Sequence, residues 1–212
     1  MPASKEKHRN DRAASEARIL TAAARLYAEH GPGVPRARIA RAARVSEAEM
    51  RRVAPTVKAL HERVFAHAFA GRWNSGWERL LADRTQPLSM RLTRFYSEYR
   101  GNIDRTGARL WTHAGLAGRQ SSGNFSATLA ARILDPVVRE LRHEAGLAKA
   151  ADAKVSGEEQ ELVQMLHGAI AFPHTRAYIF GMQVRGKLPG LVAMMVRVWI
   201  PGALAEIRRL HA

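Results

Sequence analysis

The sequence predicts an all-α protein with an N-terminal three-helix head of helix-turn-helix type and a C-terminal helical bundle. Three observations predict it. Apolar residues recur at helical spacing almost throughout, and no stretch sustains the period-two alternation of a strand. Helix-capping and helix-stopping residues also divide the first third of the chain into short segments.

Ile19, Leu20, Ala23, Leu26 and Tyr27 share one helical face, with Ser15 placed to cap that helix and Gly31 to stop it. Pro35 suits the first turn of a short second helix carrying Ile39, Ala40 and Ala43. Ser46-Glu47-Ala48-Glu49 is a capping-box sequence that opens a third helix, and Pro55 ends it. Thr56 is placed to cap a longer helix through Leu60, Val64, Ala68 and Trp77. Further helical stretches are expected near 88–100, 103–118, 124–145, 158–184 and 189–210. The expected division is a basic flexible arm over 1–14, the helix-turn-helix domain over 15–65, and a second helical domain over 66–212.

The chain has 212 residues and a net charge of +15. The absence of Cys excludes a disulfide framework, thiolate zinc sites and cysteine nucleophiles. A charge this positive calls for an anionic partner, nucleic acid before membrane surface. The most apolar stretch, Leu191 to Leu204, is interrupted by Arg197 and Pro201 and reads as too short to span a bilayer. The polar N-terminus has no secretory pattern, so a cytoplasmic location without membrane attachment is expected. Nearly half the excess charge falls in residues 1–70, and eight basic residues stand against three acids between Arg36 and Arg63.

A tight Arg44-Val45 junction between the second and third helices leaves the third free to enter a major groove. At this point the sequence resembles the TetR-type (TetR/AcrR) bacterial transcriptional regulators. The matching residues are RILTAAARLYAEHG (Arg18 to Gly31), IARAARVS (Ile39 to Ser46), then Met50, Pro55, Ala59 and Leu60. The match covers about the first 65 residues and departs from the family pattern in several places, so the motif is a degenerate one. Val34-Pro35 stands where the family has Thr or Ser, Arg51 replaces an aromatic, Ala54 replaces Phe, and Val57 replaces Lys with Lys58 next door.

On this reading Arg51 and Arg52 are the best base or phosphate readers. Glu47 is expected to accept from cytosine and Ala48 to touch a thymine methyl. Arg36, Arg38 and Lys58 are expected to neutralise phosphates. Lys5, Lys7, Arg9 and Arg12 in the arm are placed to add a flexible grip. One short recognition helix reads few base pairs, so a palindromic double-stranded operator and a homodimer are expected. The apolar strip Met182, Val184, Leu188, Leu191, Val192, Met194, Met195, Val198, Trp199 and Ile200 places the interface within residues 158–210.

The resemblance implies a small-molecule effector in the second domain, with repression released when it binds. Tyr99, Trp111, His113, Phe125, Met165 and Phe172 are the candidate pocket lining for a hydrophobic or aromatic ligand. His167 and His174 lie seven apart, with His143 a third candidate, but Pro173 intervenes and neither a metal nor a cofactor is expected. No nucleotide-binding, hydrolase or zinc-protease motif occurs, so no catalytic residue is expected. Two other classes compete. One is a regulator-like dimer whose degenerate head binds ligand or protein but not specific DNA; the other is a small helical enzyme with an anionic substrate.

Overall fold

The computed structural model describes residues 2–69, 73–116, 127–147, 150 and 153–212. The described residues form ten α-helices and no strand, as the periodicity requires. They divide into two compact units: Met1–Trp73 with Asp104–Ser121, and Asn74–Ile103 with Ser122–Ala212.

The first unit is built on α1 (Pro2–His30), against which α2 (Arg36–Ala43), α3 (Glu47–Val53), α4 (Val57–Phe69) and α7 (Arg105–Leu116) pack. Ile19, Ala23, Leu26 and Tyr27 are buried with Ile39, Ala40, Ala43, Met50, Leu60, Val64 and Leu110 in one core. Helix α1 runs straight through Ser15, because Ala3 to Ala14 contain no Gly or Pro to stop it. Residues 2–14 are therefore helical here, where a flexible arm was expected over 1–14. Gly31 does end the helix, at φ 81°, with its amide on the Tyr27 carbonyl at 2.9 Å.

Between α2 and α3 the amides of Arg44 and Val45 return to the carbonyls of Arg41 (3.2 Å) and Ala40 (3.1 Å), a Schellman closure. Arg44 adopts φ 54° to make it, in the left-handed region where a side chain costs about 1 kcal/mol. The Ser46–Glu49 capping box forms in full, and Thr56 Oγ1 accepts the Ala59 amide at 3.0 Å. Helix α4 ends at Phe69, so Trp77 belongs to the separate helix α5 (Gly76–Ala82). Helix α7 closes the first unit, with Leu110 buried and Arg109 Nε donating to the Ala28 carbonyl of α1 at 2.8 Å. The division expected at 65/66 thus falls after Trp73, and the head recovers a helix from beyond residue 100.

The second unit comprises α5, α6 (Leu88–Gly101), α8 (Asp135–Glu144), α9 (Gly157–Tyr178) and α10 (Leu188–Leu210). Trp77, Leu92, Phe95, Tyr96, Val138, Leu141, Val163, Leu166, Val196 and Ile207 are buried there. A second capping box, Ser156 with Glu159, opens α9. Helix α9 stops at Tyr178, earlier than the expected 184, and Gly181 turns the chain at φ 64°.

Two buried ion networks tie this unit together. Arg142 and Glu159, 1% and 2% exposed, pair in a bidentate fork at 2.7 and 2.6 Å. Arg142 also donates to the carbonyls of Ala150, Ala153 and Lys154, and His211 Nε2 meets Glu159 at 2.9 Å. Burial raises the Glu159 carboxyl, but the hydrogen bonds from Arg142, His211 and Ser156 outweigh it and hold the group at about 2. Glu140 receives Arg84 at 2.9 Å and the buried Arg91 at 2.7 Å.

Helix α10 has 23 residues and a mean hydropathy of 1.6 over its most apolar stretch, so by length and composition it is long enough to cross a membrane. The helix begins one residue before the expected 189–210 and runs beyond the Leu191 to Leu204 stretch at both ends. One face is nonetheless packed in protein: Val192, Val196, Ala203 and Ile207 are buried, and Trp199 Nε1 donates to the Leu162 carbonyl at 3.2 Å.

Candidate nucleic-acid interface

Helix α3 is held at three points. Met50 is buried beneath it. Glu49 takes the Ser46 amide and hydroxyl at 2.9 Å each and the Ser15 hydroxyl of α1 at 3.2 Å. Those bonds, from Ser46 first, keep the Glu49 carboxyl below the usual carboxylate range. At the other end Arg36 donates to the carbonyls of Pro55 (3.0 Å), Met50 (3.5 Å) and Ala54. The guanidinium therefore satisfies the C-terminal carbonyls of α3, the partners the structure gives it in place of the expected phosphate. Arg63 is likewise used internally, on Glu16 and the Val53 carbonyl.

The remaining expected contacts are exposed: Arg38, Glu47, Ala48, Arg51, Arg52 and Lys58. Arg38 Nη2 reaches His30 Nε2 at 2.9 Å, and Arg51 pairs with Glu47 at 3.1 Å one turn earlier. Arg41 and Arg44, which belong to the basic run with no expected contact of their own, are exposed on α2 and at the α2–α3 junction. The basic face of the motif is thus carried by Arg38, Arg41, Arg44, Arg51, Arg52 and Lys58. Arg12 is exposed on α1, while the side chains of Lys5, Lys7 and Arg9 lie outside the described residues.

The expected pocket residues are divided between the two units. Trp111 stands in the first unit against Phe65 and Phe69, with ring centroids at 6.4 and 6.2 Å. His113, also in the first unit, borders a cavity of about 10 Å³ with Tyr27 and His61, which is room for a single water. Met165 and Phe172 are 66% and 53% exposed among the described residues. Phe125 lies outside the described residues. Tyr99 alone sits in the aromatic cluster of the second unit, with Trp77, Phe95 and His167 rings within 5.7 Å, and its burial pushes the phenol up to about 12.

His143 is exposed, apart from His167 and His174, and among the described residues no three metal-ligating side chains cluster.

No family model and no curated protein matches the sequence. Among solved structures, the chain is similar to a protein of Mesorhizobium loti MAFF303099, described as a TetR-family transcriptional regulator. The TM-score is 0.59 at 14% identity, over 90% of this chain and 97% of that one. The chain has that fold. The likeness extends through the second unit, beyond the first 65 residues in which the sequence resemblance lay.

Proposed function

We propose that the protein is a cytoplasmic, DNA-binding transcriptional regulator, a homodimeric repressor released by a small molecule. The observation that carries this is helix α3, pinned by Ser15, Met50 and Arg36 while Arg51 and Arg52 point to solvent. A short helix held in place with two exposed guanidiniums, one of them paired with Glu47 at the surface, suits major-groove readout.

The homodimer reading rests on apolar surface. Met165 and Phe172 on α9, and Met194 and Val198 on α10, are exposed at helical spacing on two helices that pack together. Only 17% of the apolar stretch of α10 is buried within the chain. A second copy covering these faces accounts for them at low cost, since one patch serves both protomers.

Selection of bound sequences from random duplex DNA, followed by a salt series on the winner, tests the reading. The expected result is a palindrome, with affinity falling steeply with salt at a slope of about −0.9 per neutralised phosphate. Replacing Arg51 and Arg52 together by Ala is expected to abolish preference for that palindrome while leaving the oligomeric state unchanged. Weak, sequence-independent binding by the unaltered protein would instead favour a regulator-like dimer with a degenerate head, for which the Glu47–Arg51 pairing is the supporting observation.

A further inference from the structure

Three arginines are buried in the second unit, and they are not alike. Arg91, 2% exposed, has Glu140, and Arg142, 1% exposed, has Glu159. Arg100 is also 2% exposed, yet no carboxylate pairs with it among the described residues. Its Nη1 donates to the Ile170 carbonyl of α9, and its Nε is buried with no partner. A buried cation without a counter-charge is costly and persists where something else supplies that charge.

The other unsatisfied buried atoms around it fit one object. Tyr96 Oη, one turn before Arg100 on α6, is fully buried and bonded to nothing. On α9 the same is true of the Nδ1 atoms of His167 and His174, which flank Ile170 in the chain. The Tyr96 and His167 rings lie 5.9 Å apart, and burial together with the Arg100 charge draws the His174 imidazole down. Four orphaned polar atoms thus lie on two packed helices, with Tyr178 of α9 also close enough to act on the Arg100 charge, at a depth where native proteins pair nearly all such groups.

We propose that α6 and α9 form a receptor for a small monocarboxylate, with Arg100 as its charged anchor and Tyr96, His167 and His174 as its hydrogen-bonding partners. Both imidazoles are held at about 4 and are neutral at pH 7, so the site carries a single positive charge. That matches a monoanion; a phosphate would bring nearly two negative charges. A carboxylate accepts on both oxygens, and can take Arg100 Nε–H, Tyr96 Oη–H and an imidazole N–H at once. The adjacent aromatic rings of Phe95 and Tyr99 suit an apolar body on the ligand. This deepens the proposed function, resting on the second unit as the ligand-binding half, and names the class of effector.

The test is calorimetry and thermal unfolding of the full-length protein, without DNA, against benzoate and hexanoate. Their amides and inorganic phosphate serve as matched probes. The carboxylates are expected to bind saturably and raise the unfolding temperature, and the amides and phosphate are not. Tyr96→Phe and His167→Gln are each expected to weaken carboxylate binding about tenfold, the loss of one charge-assisted hydrogen bond. Arg100→Gln is expected to abolish the response while raising the melting temperature of the ligand-free protein, because an uncompensated charge is removed. Equal responses to acid and amide, no response to either carboxylate, or full binding by Arg100→Gln would each overturn the proposal, leaving the four groups bridged by water only. Operator binding is measured separately. Carboxylate binding without release of DNA would leave this site standing and remove the release mechanism.

Discussion

Glu47 and Arg51 are 66% and 71% exposed, so their 3.1 Å pair contributes at most about 0.5 kcal/mol and opens easily. Two roles for Glu47 then make opposite predictions. If it only shields Arg51, Glu47→Gln strengthens duplex binding about three- to tenfold on operator and scrambled DNA alike, by removing a negative charge from the binding face. If it accepts from a cytosine, the same change weakens operator binding alone. The first outcome is expected, and filter or fluorescence titration on both duplexes decides it. Single residues are also where the sequence was least legible. Arg36 and Arg38 look equivalent in the sequence, two positions apart on one short helix. Only the fold shows that Arg36 is committed to the Met50, Ala54 and Pro55 carbonyls while Arg38 remains exposed. The pair Tyr96 and Arg100 is likewise far in sequence from the pair His167 and His174, and only the packing of α6 on α9 brings the two together.

At the scale of elements, local chemistry was readable and register with distant partners was not. Both ends of α3 and the stop at Gly31 follow from residues within four positions of each boundary. The merger of 1–14 into α1, and the separation of α5 from α4, depend on what does or does not interrupt helix propagation. The start of α9 shows a local signal recruited for a non-local purpose. Glu159 closes the capping box with Ser156 and is also the counter-charge of buried Arg142, 17 residues earlier in the chain. Glu159→Ala leaves that guanidinium buried and unpaired, and is expected to cost about 3–5 kcal/mol in chemical denaturation. Glu206→Ala, which removes the exposed partner of Arg209, is expected to leave the midpoint unchanged and serves as the control.

For the molecule as a whole, stability should fall in two separate steps as pH is lowered. His167 is held at about 4 by burial, below its unfolded value of 6.5, so between those values the unfolded chain binds more protons than the folded one. Stability from this group is complete above about pH 6.5 and is lost as pH falls through 4, amounting to about 2 kcal/mol by pH 4.5. Glu159, held at about 2, adds a later loss that begins near 4.5. Urea unfolding from pH 7.5 to 4.5 should show the first step, and His167→Gln should make it smaller, His174, also held at about 4, supplying the rest. The net charge of +15 was the most visible whole-chain feature, yet Arg36, Arg63, Arg91 and Arg142 are engaged by carbonyls or carboxylates of the protein itself, the last two of them buried. Helix α7 carries one more consequence. Because it returns to α1 after the chain has left for the second unit, the head is not a contiguous N-terminal module. A recombined protein that borrowed only residues 1–73 would leave the α1 surface beneath Leu110 bare. Reading heads of this kind can be exchanged between scaffolds only if their late helix travels with them.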